Sequence, residues 1–325
     1  MPSVLNIFFT LLSISHVTYG TKVRQLWEFS NTSQWVENIG IRPSGHLLLN
    51  TFDQGKMYTI DPSTENPVPS VAIQVPGVTA LTGITEIEPD LFAISGGNPN
   101  ATSGAFLYGS GKIFVVDFRG RIPHINNQPL IKRAVEIPDS KLLNGIASLP
   151  LNPHIVLSVD SKLGCIYRTD TLSGHVDVIY KSDKLSPTPS SATPVGANGL
   201  KVRGGYLYLT NSEQYFLARL KVSETGNVLG PLEIIKQLPT NPTQHPDDFW
   251  IAQDGTFYVA AFTTAVLKIT AGGQVSTVVD ESGTVYLDSP TSCHLSKDEK
   301  TLYVSTSGGS NGKGGQVIEI DLVSK

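Results

Sequence analysis

The sequence predicts an all-β protein, a six-bladed β-propeller with mostly four-stranded antiparallel blades around a central channel. Three observations carry this. One strand–turn–strand grammar recurs along the chain at roughly 40 to 50 residues, the spacing of propeller blades. The runs in each unit are rich in Val, Ile, Leu, Tyr and Thr and bounded by Gly, Asp, Asn and Ser, the signature of short strands. Helical periodicity is absent after the first 20 residues.

Six units follow in order. The first runs from Glu37 to Pro62 (ENIGIRPSGHLLLNTFDQGKMYTIDP). The second starts at Thr82 (TGITEIEPDLFAISGG) and resumes in GKIFVVDFRG after a loop rich in Gly, Asn and Ser. The third starts at Asn144, the fourth at Asn198 and the sixth at Ser289. The fifth, His245 to Thr270, reads as three strands joined by tight turns, with its acidic residues just ahead of the first strand. Fourth strands are expected in VPSVAIQV, HVDVIYK, PLEIIKQ and GQVSTVV, and LWEFSN near Leu26 is expected to start or close the ring. Two stacked β-sandwiches are the rival architecture; recurrence of one unit along the whole chain argues against them.

Composition bounds the function. The chain has 325 residues, 40% hydrophobic and 16% charged, with 30 Gly and 21 Pro to supply turns. That suits a compact core and argues against disorder. A net charge of -4 without any Lys/Arg cluster gives no footprint for nucleic acid. Residues 1–20 carry an apolar stretch, Val4 to Ile14, followed by small residues. It is too short to span a membrane and reads as a cleaved secretory signal, leaving 21–325 as a single propeller domain. The expected destination is the secretory pathway or the exterior, and Asn31 and Asn100 stand in glycosylation sequons. Cys165 and Cys293 exclude a disulfide framework; one bridge between them stays open, and two buried free thiols are the expected state.

In a propeller, the innermost strand of each blade lines the channel, so the residues that start these strands converge. Aligned on their turns, they are Glu37, Thr82, Asn144, Asn198, Asp247 with Asp248 beside it, and Thr291 or Ser292. All are polar. Asn-Gly and Asp-Asp also form turns with local backbone bonds, but one Glu, two Asn and one Asp on a common axis make an oxygen-rich ring suited to a hard cation. Strand alternation allows only one of Asp247 and Asp248 to face the channel. His245 and His294 near these positions are candidates for acid–base or orienting roles. No HExxH, P-loop, CxxC or G-x-S-x-G motif is present, so hydrolysis by a serine nucleophile has no support.

Glu37, Asn198-Gly199-Leu200 and Pro246-Asp247-Asp248, each followed by a turn and a strand, resemble the regucalcin/gluconolactonase family of six-bladed propellers. The resemblance implies a divalent cation, Ca2+ or Zn2+, on Glu37, Asn198 and Asp247, with Asn144 as a further ligand, and lactone hydrolysis with Asp247 or Asp248 as base. Asp248 stands where that family commonly has Gly. The whole-chain pattern of ENIGIRPSGHLLLNT, GITEIEPDLFAISGG, LLNGIASLP, GANGLKVRGGYLYLTN, PDDF and SPTSCHLS resembles the fungal hetero-Diels-Alderase branch of tropolone-sesquiterpenoid pathways. It implies cofactor-free pericyclic catalysis that aligns a quinone methide with a polyene. Asp247, Asp248, Asn144 and His294 are then the candidate catalytic residues, with Trp250 and Phe249 as candidate pocket walls. In both cases the partner is a small molecule. A propeller that only binds a partner is the third alternative.

Overall fold

The computed structural model describes residues 22–119, 129–188, 194–238, 240, 244–279 and 285–323; the expected signal sequence, residues 1–20, lies outside them. It is a six-bladed propeller of four-stranded antiparallel sheets, and no helix occurs among the described residues. None is therefore long and apolar enough to cross a membrane.

Strand β1 (Lys22–Glu28) comes first but belongs to the last blade. Blade 1 is β2 (Val36–Ile41), β3 (Leu47–Thr51), β4 (Lys56–Ile60) and β5 (Ser70–Gln74). Blade 2 is β6 (Ala80–Glu88), β7 (Leu91–Gly97), β8 (Lys112–Asp117) and β9 (Leu130–Glu136). Blade 3 is β10 (Leu143–Leu149), β11 (Asn152–Asp160), β12 (Cys165–Asp170) and β13 (Val176–Lys181). Blade 4 is β14 (Ala197–Arg203), β15 (Tyr206–Asn211), β16 (Phe216–Lys221) and β17 (Glu233–Gln237). Blade 5 is β18 (Gln244–Ile251), β19 (Phe257–Thr263), β20 (Ala265–Ile269) and β21 (Val275–Val279). Blade 6 is β22 (Pro290–Leu295), β23 (Thr301–Thr306), β24 (Gln316–Asp321) and, outermost, β1. The four segments expected as outer strands hold β5, β13, β17 and β21, and LWEFSN closes the ring, with Lys22 opposite Asp321 and Glu28 opposite Gln316.

Each blade buries its two faces against its neighbours. Six hydrophobic clusters among the described residues each occupy one blade–blade interface; Leu200, Leu207 and Phe216 of blade 4, for example, pack on Leu157, Val159 and Ile166 of blade 3. Cys165 lies between blades 2 and 3 and Cys293 between blades 5 and 6. Both thiols are free and buried, and burial pushes the Cys165 pKa up to about 12. Their packing role is that of small hydrophobes.

One irregularity recurs. In every blade, the pairing of the inner strand with the second strand slips at the strand-start residue: at Glu37, Thr82-Gly83, Asn144-Gly145, Asn198-Gly199, Asp247-Asp248 and Thr291. A β-bulge sets two residues against one partner and re-aims their side chains. This corrects two expectations for the fifth unit. Its acidic pair sits inside β18 rather than ahead of it, and both carboxyls turn inward because alternation fails at the bulge.

Candidate functional site

The bulges build a polar layer across the channel at the end where the inner strands begin, the upper mouth. Thr82 and Thr291 serve as staples between blades: their hydroxyls donate to Leu143 O (2.8 Å) and Val36 O (2.7 Å) of the next blade. The other four strand-start residues, Glu37, Asn144, Asn198 and Asp247, are all buried. Burial raises the Glu37 pKa to about 7; the Trp35 side chain beside it offsets part of that, and the Asp248 charge adds to it. Burial also holds Asp247 well above the usual carboxylate range, reinforced by the charges of Glu37 and Asp248. The two carboxyls therefore disfavour each other's ionisation. Asn198 donates Nδ2–H to Ser212 Oγ at 3.0 Å and its side chain also hydrogen-bonds Asp247, while its buried Oδ1 meets no donor among the described residues.

At the edge of this mouth His245 Nδ1 lies 3.2 Å from Ser212 O, and Nε2 lies 3.1 Å from the Tyr215 hydroxyl. A carbonyl only accepts, so Nδ1 carries the proton and Nε2 accepts from Tyr215. Trp35 stacks on Phe52 with ring centroids 5.0 Å apart, giving the mouth a second aromatic pair besides Tyr215 and His245.

Deeper in the channel lies a second polar layer, which sequence reasoning largely missed. Asp248 is only 2% exposed. Lys201 Nζ donates to its Oδ1 and Oδ2 at 2.6 and 2.8 Å, and Asn38 Nδ2 (3.1 Å) and Ser292 Oγ (3.0 Å) donate to Oδ2. Blades 1, 4, 5 and 6 thus meet on one carboxylate. Gly199 makes room for it: a Cβ there would come within 2.5 Å of Asp248 Oδ1. The only prior sign of Lys201 was a cation inside an otherwise apolar inner-strand run, Leu200-Lys201-Val202.

Below this layer opens a cavity of about 860 Å3, reaching to the end where the inner strands finish, the lower mouth. Asp248 and Lys201 contribute to its lining, whereas Glu37, Asn144, Asn198 and Asp247 do not. Its walls are largely apolar, from Ile39, Ile84, Ile146, Val202, Trp250 and Leu295. His294 lines it too, its ring tilted 31° against Trp250 at 3.5 Å between centroids, with Nδ1 donating to Leu295 O at 2.7 Å. Burial pushes the His294 pKa down to about 3, so the imidazole is neutral at ordinary pH and leaves Nε2 as an acceptor. Of the two aromatics expected as walls, Trp250 lines the cavity; Phe249 is instead packed in the interface between blades 4 and 5. The candidate residues thus divide: Glu37, Asn144, Asn198 and Asp247 gather above the Asp248 layer, and His294 lies below it. Both sequon residues, Asn31 and Asn100, are exposed.

No protein-family model matches the chain. A protein of Phoma sp named "Putative hetero-Diels-Alderase" is 27% identical over 297 residues, covering 83% of each chain. A protein of Sarocladium schorii named "Putative hetero-Diels-Alderase asR5" is 24% identical over 243 residues, 68% of this chain and 56% of that one. Among solved structures, a luciferin-regenerating enzyme superposes with a TM-score of 0.65 at 16% identity, covering 93% of this chain and 95% of that one. Regucalcin from Agrobacterium tumefaciens, a calcium-binding protein, superposes at 0.61 with 14% identity, covering 93% and 96%. The chain is therefore similar in sequence to proteins named as hetero-Diels-Alderases and in fold to regucalcin, as the motifs of its inner strands imply.

Proposed function

We propose that the protein is a small-molecule enzyme of specialised metabolism, a hetero-Diels-Alderase-type cyclase that joins a quinone methide and a terpene polyene in the lower cavity. The observation that carries this is the cavity itself: about 860 Å3 of largely apolar space with a hydrogen-bonding floor at its deep end. That volume lies within the roughly 300–1,000 Å3 of small-molecule sites. In the cycloaddition a C–C and a C–O bond form while π bonds shift, and no proton, electron or leaving group is exchanged. The task of the chain is to gather and orient the partners, which alone is worth about 7–11 kcal/mol of barrier. Ile146, Val202 and Trp250 exclude water from the apolar partner, and the neutral His294 beside Trp250 adds no charge to its path. No cofactor is required. The test is to generate a quinone methide in solution with a terpene polyene and follow adduct formation and its stereoisomer ratio with and without protein. Acceleration insensitive to chelator, with an altered ratio that Trp250→Ala shifts back, is expected. Unchanged rate and ratio would exclude the cyclase.

A second function is favoured by one observation, the Oδ1 of buried Asn198, which meets no donor among the described residues, beside two carboxyls that burial disfavours as anions. Glu37, Asn198 and Asp247, with Asn144, supply hard oxygen donors of the kind that fit Ca2+. Such an ion, when bound, supplies carbonyl polarisation and water activation, the chemistry of a lactonase. Lactone hydrolysis abolished by chelator and by Asp247→Ala would favour it. Absence of both activities would leave a binding propeller. Passage through the secretory pathway is part of the proposal: a secreting host is expected to cleave near residue 20 and to glycosylate Asn31 and Asn100, read as a mass loss on deglycosylation.

A further inference from the structure

We propose that Lys201 is an oxygen-recognition residue: its ammonium, held at the floor of the lower cavity by Asp248, binds the anionic or strongly polarised oxygen of a planar conjugated ligand whose body lies in the apolar part of the cavity. Its place in catalysis rests on the cyclase function above; the binding itself does not.

Four observations converge. First, Lys201 and Asp248 line the cavity together, and the Lys201 side chain is 18% exposed against 3% for Asp248. The cation, not the carboxylate, is the partner that a ligand reaches. Second, an ammonium has three donors, and the structure commits two directions, to Asp248 Oδ1 and Oδ2. Its third N–H meets no hydrogen-bond acceptor among the described residues, with the Phe249 ring centroid 5.5 Å from the ammonium, and is left for a ligand. Third, Asp248 does not depend on a ligand, because Asn38 and Ser292 also donate to it. The ion pair is therefore a mounted donor, braced from two other blades and given clearance by Gly199. Fourth, the other cations lining the cavity are committed or peripheral. Arg42 forms a two-pronged pair with Asp90, Arg203 donates to the carbonyls of Ile251, Ala252 and Gln253, and Lys297 is exposed at the rim. The acidic groups at the rim are occupied too: Glu86 accepts from Asp90 N, and Glu299 accepts from Gln253 N.

Burial strengthens a charge-assisted hydrogen bond, and Lys201 sits half-buried at the deep end of the cavity, away from the charged rim. A phenolate, an enolate or a conjugated carbonyl is the chemistry that matches: a flat apolar body for Trp250 and the isoleucines, and one oxygen of high electron density for the ammonium. In a hetero-Diels–Alder reaction the heterodiene oxygen is the atom whose hydrogen bonding lowers the acceptor orbital, so this contact would be catalytic as well as selective.

The test uses the full-length protein and 4-nitrophenolate, whose anion absorbs in the visible, titrated at a pH where the probe is ionised. 4-Nitroanisole serves as the neutral control. Asp248→Asn retains side-chain contacts with Asn38 and Ser292 and frees the Lys201 charge; it is expected to bind the phenolate at least threefold more tightly than the parent. Lys201→Met combined with Asp248→Asn leaves no buried unpaired carboxylate and is expected to bind at least tenfold more weakly, with 4-nitroanisole binding little changed. Opposite shifts in the two variants support the proposal, because a purely structural role would move both the same way. Parallel shifts, or no saturable phenolate binding by the parent protein, overturn it. If phenolate binding behaves as stated while no cycloaddition is accelerated, the site stands and the cyclase falls.

Discussion

Glu37→Gln gives the sharpest test of the upper mouth. In the folded chain burial raises the Glu37 carboxyl from an ordinary 4.5 to about 7. A carboxyl with a raised pKa binds its proton more tightly folded than unfolded. Its stabilising contribution is thus fully present below about pH 4.5 and is lost as the pH rises through about 7. The difference between the two values corresponds to about 3 kcal/mol by pH 8. Glutamine keeps the shape and cannot ionise. It also removes the largest charged neighbour of Asp247, so that carboxyl ionises at lower pH in the variant. The assay is urea unfolding of parent and variant at a series of pH values from 4.5 to 8. The stability of Glu37→Gln relative to the parent should be near its baseline at pH 4.5 and rise by about 3 kcal/mol by pH 8. Parallel curves across that range would refute the reasoning, since they would mean that Glu37 titrates alike folded and unfolded.

Other expectations follow from named contacts. Gly199→Ala puts a Cβ within 2.5 Å of Asp248 Oδ1 and 2.7 Å of its Cα, so a loss of about 1–3 kcal/mol in chemical denaturation is expected. Lys201→Met alone strands the Asp248 carboxylate and should cost about 3–5 kcal/mol, most of it restored when Asp248→Asn is added. Deleting residues 22–28 removes the outer strand of blade 6 and exposes the edge of β24; a broadened unfolding transition in calorimetry is expected, with a greater tendency to associate. If the upper mouth holds Ca2+, a hundredfold excess over Kd should stabilise the parent by about 2.7 kcal/mol and Asp247→Asn by much less, measured as a shift in Tm.

Much of the fold was legible because each blade is a local meander. Strands joined by tight turns reveal themselves through alternation and Gly/Asp punctuation, as Asp254-Gly255 does between β18 and β19. The strand-start residues were legible for the same reason: they hold one fixed place in a repeating unit. The sense in which they act was not. Period-2 alternation allows only one of Asp247 and Asp248 to face inward, and the bulge that turns both inward is visible only in the pairing of β18 with β19. Lys201 and Asn38 carried no repeat signal, since only their own blades have them.

From sequence alone came the blade count, the polar ring of Glu37, Asn144, Asn198 and Asp247 and the absence of a serine-hydrolase elbow, whereas the free state of the thiols came from the structure. Tertiary structure decided what closes the ring and what divides the channel. Strand β1 finds β24 nearly 300 residues away, and Asp248 takes its donors from Lys201, Asn38 and Ser292, which are 47, 210 and 44 residues distant. Local periodicity reports the geometry of one strand and its turn, because those are set by neighbouring dihedrals and side-chain alternation. Which non-repeating side chains reach Asp248 on the axis is set by the closure of six blades into one ring, and no local pattern encodes those contacts.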